Sequence, residues 1–250
     1  MQVRHDRVAQ TDQDDVFIRF AADYAAEHPG RAITFVQAGC ATAGPELDVG
    51  ALLKAAPALV ISRVDEDSPI VRAAAAGRAE LSTAAFAELR TLTLAPRSVD
   101  LIQCSLLLHR VRNAELVLDR LVAALRPGGL LFLRTADRDT AAGFLDRKLP
   151  QFARELAWGA AQPGAPGPFP AWYEPIASGR GIEAFVVRHG LAIANRQACI
   201  AQGGLGRARL LLAAQRLVSQ LAKGRLVADY DELRYVIRKP EDRYARVLSQ

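Results

Sequence analysis

Residues 33–44 read ITFVQAGCATAG, an apolar run that ends at Gly39 and passes into a turn of small residues. Such a run is how a buried strand delivers the chain to a loop whose backbone can approach a ligand closely. A helix after that loop would offer unpaired N–H groups to the same ligand. Glu46–Ala55, with Leu47, Leu52 and Leu53 as apolar positions and Pro57 as a stop, reads as that helix. Twenty-six residues beyond Gly39 a second apolar run, LVISRVD, ends in Asp65. Two buried runs joined by a helix make a parallel crossover.

The same rhythm continues on both sides. Asp14–Glu27 (DDVFIRFAADYAAE) reads as a helix with acids at its electropositive start and His28-Pro29-Gly30 at its end. Ser68-Pro69 opens a short helix over Ile70–Ala76, and Ala84–Leu94 holds a weak strand. Leu101–Leu107 is the next buried strand, and Asn113 is expected to cap an amphipathic helix running to Leu125. Arg126-Pro127-Gly128-Gly129 reads as a sharp turn into a fifth strand, Leu130–Leu133. Beyond Asp137, Phe144–Trp158 is helical in pattern, whereas PGAPGPFP at Pro163–Pro170 is not. That loop, with Trp172 and Tyr173 after it, reads as a lid or an ordered crossover rather than a domain linker; as a lid it is expected to lie over a pocket and to order when ligand binds. A helix at Ile182–His189, a strand at Leu191–Ile200, a helix at Leu205–Leu221 and a last strand at Leu233–Ile237 complete the chain.

Composition narrows the function classes. The chain has 250 residues, half of them hydrophobic, which suits one α/β domain with a modest insertion. Net charge is +5, but only Lys54, Lys148, Lys223 and Lys239 of the 32 basic residues are lysines. The arginines are scattered without like-charge blocks or interleaved aromatics, so nucleic acid is not the expected partner. Cys40, Cys104 and Cys199 are far apart, with neither a disulfide framework nor zinc-ligand spacing, so no metal is expected. The polar start MQVRHDRVAQTDQDD lacks an apolar signal core, and no run approaches a membrane span, so the expectation is a cytoplasmic protein without a membrane partner.

Taken in order, Ile33–Gly44, the run ending in Asp65, Ser98–Val111 (SVDLIQCSLLLHRV) and Leu125–Arg134 (LRPGGLLFLR) resemble the small-molecule class I S-adenosylmethionine-dependent methyltransferases of the type 11 kind. The resemblance covers Ile33–Arg134 in motif detail. It implies a Rossmann-like domain over residues 1–250, with a seven-stranded, mostly parallel sheet, an antiparallel last strand, and residues 137–182 inserted as the lid. It also implies S-adenosylmethionine as cofactor, S-adenosylhomocysteine as product, and a small-molecule acceptor, with a homodimer possible. In the family's loop an acid precedes a Gly-x-Gly-x-Gly run. Here Gln37, Gly39, Ala41 and Ala43 occupy those positions, and Gly44 follows one step later.

The resemblance implies cofactor-binding roles for Gln37, Gly39, Ala41, Gly44, Asp65, Glu88 and Ser105. Asp65, at a strand end, can accept from ribose hydroxyls; its neighbours Glu66 and Asp67 share the position's chemistry, and a helix-capping cluster is the alternative. Glu88 falls where the family places a polar group beside the adenine, and a solvated loop glutamate explains it equally. His109, at the carboxyl end of the fourth strand, is the candidate catalytic residue, either as general base or as a wall of the pocket. Trp172, Tyr173, His189 and Tyr230 are candidates for a substrate pocket or for core and surface positions. Methyl transfer depends chiefly on in-line positioning, so it leaves no obligatory acid–base motif.

Two function classes follow: methyl transfer to a small molecule through an O-, N- or C-nucleophile, in specialised metabolism, or a methyltransferase-like protein with another role. Tyr235 and Lys239 imitate a dehydrogenase pair, but they fall on the last strand, and the dinucleotide fingerprint GxGxxG is missing from the first loop.

Overall fold

The apolar runs become strands of one sheet. A computed structural model of the chain describes residues 11–41, 58–200, 215, 217–222 and 226–241. Its strands are β1 (Ile33–Ala38), β2 (Leu59–Glu66), β3 (Ala85–Ala87), β4 (Val99–Ser105), β5 (Leu125–Ala136), β6 (Ala192–Cys199) and β7 (Glu232–Arg238). They lie in the order β3-β2-β1-β4-β5-β7-β6. The first five pair in parallel, while β7 runs antiparallel to both β5 and β6. This is the expected Rossmann-like class.

All seven residues of β4 are buried because helices cover both faces of the sheet. Strand alternation sends Phe35, Leu101, Phe132 and Val236 to one face, where they meet Val16, Phe17, Ala21 and Tyr24 of helix α1 (Thr11–Ala26). Val36, Ile102, Cys104 and Leu131 go to the other, against Val117, Leu118, Leu121, Ile182 and Phe185 from the helices Ala114–Ala124 and Gly179–Arg188. Burying each such Leu, Ile or Phe contributes about 1.5–3 kcal/mol.

Four local readings change. β3 is only three residues long, because the Leu89 N–H turns to the Glu66 carboxylate (3.0 Å) and a single 3-10 turn, Leu89–Thr91, follows. Asn113 is left-handed (φ 54°) and its side chain does not cap; the Glu174 carboxylate accepts from the Asn113 and Ala114 N–H groups at 2.7 and 2.8 Å instead. The segment expected as one helix over Phe144–Trp158 is two, Ala141–Lys148 and Gln151–Ala161, because Pro150 holds Leu149 out of helical geometry. Arg126–Gly129 lies within β5 rather than before it, and the register shifts between Val99 and Leu101. The expected helix at Glu46–Ala55, Ala43 and Gly44, and residues 205–214 and 216 of the expected late helix lie outside the described residues.

Candidate functional site

Ala38 pairs with Val64 on one side and Cys104 on the other. The next residues on those three strands are Gly39, Asp65 and Ser105, so they end side by side at the carboxyl edge, where open α/β sheets take ligands. Gly39 has φ +83°, and a Cβ there would sit 2.3 Å from the Ser105 carbonyl oxygen. Glycine is therefore demanded by β4 itself, whatever ligand approaches.

Asp65 is fully buried and its carboxylate is occupied from within the chain. Oδ2 accepts from the Ala41 N–H at 2.8 Å, which pins the loop after β1. Oδ1 accepts from the Glu66 N–H at 2.7 Å and from the Arg110 guanidinium at 2.5 Å. Arg110 is itself buried, and its Nε donates to the carbonyl of Leu106 at 3.0 Å. The sequence reading missed Arg110. A basic residue inside the apolar stretch LLLHRV was the signal, since a buried guanidinium requires an acid from a neighbouring strand end.

Two residues before Gly39, the Gln37 amide nitrogen donates to Gln103 Oε1 at 3.1 Å. Gln37 Oε1 and Ser105 Oγ are buried with no hydrogen-bond partner in the structure. Buried polar atoms are nearly always satisfied, so two orphans next to one strand edge mark a place for polar ligand atoms.

His109 follows β4. Burial first, and then the charges of Arg110, Arg154 and Arg134, push its imidazole down to about 3. The ring is neutral at physiological pH, and its Nδ1 is buried without a partner. In the unfolded chain it titrates near 6.5. The folded value lies below the unfolded one, so His109 contributes stability that is complete above pH 6.5 and lost as pH falls towards 3. The expected contribution to the slope is about 1.4 kcal/mol per pH unit. Urea unfolding at pH 4 to 7 should show that the parent loses stability more steeply than His109→Gln; parallel slopes would refute the assignment.

The backbone carbonyl of His109 accepts from the N–H groups of Trp172 and Tyr173 at 2.9 and 3.0 Å. This fastens the proline-rich strap to the carboxyl edge. Phe169 packs against the cluster of Cys40, Ala41, Val71 and Leu81, and the Arg110 guanidinium lies 5.6 Å from its ring centroid. Arg154 donates to the Phe169 carbonyl at 2.6 Å and pairs with Asp146 at 2.9 Å. Tyr173 donates its hydroxyl to Asp146 at 3.0 Å.

The remaining candidates are dispersed. Glu88 pairs with Arg90 at the exposed 3-10 turn. Trp172 is exposed under Arg112, whose guanidinium lies 4.0 Å from its centroid. His189 stacks on Phe185 and pairs with Asp119 at 3.1 Å on the helical layer, away from the carboxyl edge. Tyr230 donates to Asp137 at 3.1 Å, and burial raises that carboxyl above its ordinary range. All three cysteines are buried thiols, and desolvation pushes Cys104 and Cys199 up to about 12. Among the described residues no helix is long and apolar enough to cross a membrane.

Residues 36–133 match a family model described as a methyltransferase domain. No curated protein matches the chain. Solved structures that do match include an S-adenosylmethionine-dependent methyltransferase from Mesorhizobium loti, 18% identical over 88% of this chain and 99% of that one, with a TM-score of 0.49. The YcgJ protein from Bacillus subtilis is 14% identical over 93% and 100%, with a TM-score of 0.51. The [4+2]-cyclase SpnF is 15% identical over 94% and 85%, with a TM-score of 0.50. At these identities the solved structures speak for the fold alone, and the family match carries the rest. Residues 36–133 carry a methyltransferase domain, and S-adenosylmethionine is the cofactor that such a domain uses.

The carboxyl edge fits that cofactor at one end and crowds it at the other. Gln37 Oε1 is an acceptor suited to an ammonium, and Ser105 Oγ can serve a carboxylate or a hydroxyl. Bound there, the cofactor supplies an electrophilic methyl group on sulfur. Asp65 has no solvent-accessible surface and already accepts three hydrogen bonds. With those three donors in place, a ribose cannot reach it.

Proposed function

We propose that this S-adenosylmethionine-dependent methyltransferase acts on a small-molecule acceptor through an oxygen, nitrogen or carbon nucleophile, in specialised metabolism and in the cytoplasm, as a monomer or homodimer. The observation that carries this reading is the carboxyl edge itself: a glycine turn, the unpartnered Gln37 Oε1 and Ser105 Oγ, and a neutral His109 on the segment that follows β4. In this reading Gln37, Gly39, Ala41, Gly44 and Ser105 hold the donor's amino-acid end. Asp65 and Glu88 serve the nucleoside end once Asp65 is free. His109 lines the acceptor side as a neutral hydrogen-bond partner rather than a strong base, since a conjugate acid near 3 gives little driving force for taking a proton. Catalysis then rests on placing the nucleophile in line with the methyl group. Scattered arginines, with Arg31, Arg110, Arg134 and Arg154 engaged by carboxylates among the described residues, support a small molecule over a nucleic acid as acceptor.

Calorimetric titration with S-adenosylhomocysteine and, separately, with NAD tests the reading. Micromolar binding of the first and none of the second is expected. Folded protein that ignores S-adenosylhomocysteine at millimolar concentration would refute it. Methyl transfer from labelled S-adenosylmethionine to a panel of phenols, amines and activated carbon acids then sorts the nucleophile. The internal engagement of Asp65 favours a second reading, a methyltransferase-like protein with another role. The fold accommodates that, since a [4+2]-cyclase shares it. Binding of S-adenosylhomocysteine with no methyl transfer to any acceptor class would favour the second reading.

A further inference from the structure

We propose that Pro168–Tyr173 is an internal plug of the cofactor site, latched by Arg110 onto Asp65, and that it must leave for S-adenosylmethionine or S-adenosylhomocysteine to bind. The inference rests on the cofactor reading above and adds a gate to it. Several contacts place the strap beside the expected cofactor site. Phe169 packs against the cluster of Cys40, Ala41, Val71 and Leu81, which includes the turn immediately after Gly39. Arg110 faces the Phe169 ring at 5.6 Å while its guanidinium holds the buried Asp65 carboxylate. The Trp172 and Tyr173 N–H groups converge on the His109 carbonyl, and Arg154 ties down the Phe169 carbonyl.

A plug of this kind mimics what it displaces. An aromatic ring covers the loop after β1, and a cation-bearing side chain satisfies the carboxylate that would otherwise accept from hydroxyls. The strap is suited to detachment. The run Pro163–Gly167 that leads into it is rich in proline and glycine, Phe169 is partly exposed, and Trp172 lies on the surface under Arg112. Its fastenings are the Trp172 and Tyr173 N–H bonds to His109, the Arg154 bond to the Phe169 carbonyl, the buried Tyr173 hydroxyl on Asp146 and the ring contacts of Phe169 and Trp172, fewer than the continuous ladders of the buried strands beside it. When it lifts, Arg110 loses its aromatic cover and Asp65 gains a face towards solvent. The gate thus lowers apparent cofactor affinity by the fraction of molecules with the strap open.

Two measurements on the full chain test the gate. Hydrogen exchange of peptides spanning Phe169–Glu174 is followed with and without saturating S-adenosylhomocysteine, and exchange should accelerate at least tenfold on binding. Titration of Phe169→Ala should give a dissociation constant at least tenfold below that of the parent. Unchanged or slowed exchange in the saturated parent, or a Phe169→Ala variant that binds no tighter, would overturn the plug while leaving the cofactor reading intact. Binding to the variant alone supports the plug. Failure of both proteins to bind at millimolar concentration would overturn the cofactor reading, and the plug with it. The exchange measurement needs no substitution, so it stands even if Phe169→Ala does not fold.

Discussion

Replacing Arg110 by methionine should destabilise the protein by about 3 kcal/mol, towards the low end of the 3–5 kcal/mol seen when one member of a buried ion pair is removed. The low end applies because Asp65 keeps two backbone donors, Ala41 and Glu66, when the guanidinium is gone. Methionine preserves much of the arginine stem's packing, so the loss reports the unpaired carboxylate rather than a cavity. In a chain of this size, about 2–4 °C of melting temperature per kcal/mol converts this to a fall of roughly 6–12 °C. The double variant Arg110→Met with Asp65→Asn should recover much of the loss, because the amide no longer buries a charge. Urea unfolding of the two variants decides the matter. A single variant within about 0.5 kcal/mol of the parent, in the range of ordinary surface changes, would show that the pair is not buried in solution.

The fold was legible because its central strands are buried on both faces, and double burial writes itself as an uninterrupted apolar run. Ile33–Ala38 was bounded to the residue, and β2 and β4 within two residues at either end. β3 was legible only as a weak tendency, since three residues beside a glutamate-anchored turn carry almost no pattern. What the sequence hid was pairing across distance. Nothing local says that Asp65 meets Arg110, forty-five positions away, or that Glu174 caps a helix sixty positions earlier. Asp100 belongs to the same class. It stood out as part of the SVD motif, yet it gathers the Tyr24 hydroxyl, the Thr34 N–H, Arg31 and Arg126 at the opposite end of β4 from the site. The candidate site was legible in its address, the carboxyl edge, and less so in its state. Phe169 was read as part of a loop over a pocket, and only its packing against the Cys40–Ala41 cluster and its place beside Arg110 reveal which pocket.

Gly39→Ala carries the other large expected effect, and it separates two reasons for a glycine. Part of the cost is the backbone, since φ +83° is strained for any residue with a Cβ, by about 1–2 kcal/mol. The rest is collision, because the new methyl would lie 2.3 Å from the Ser105 carbonyl and 3.2 Å from Leu107 Cβ. A carbonyl locked in the sheet cannot step aside as a flexible side chain does, so about 1–3 kcal/mol of overpacking is added. The sum is roughly 2–5 kcal/mol. Gly77→Ala is the matched control. Its φ is +79°, but its Cβ would meet nothing within 4 Å, so only the backbone part should appear. Thermal unfolding of the two variants should therefore differ by the collision alone, about 1–3 kcal/mol with Gly39→Ala the less stable. Equal losses would mean that β1 and β4 yield at their carboxyl ends, and the glycine there would then answer to a ligand rather than to the neighbouring strand.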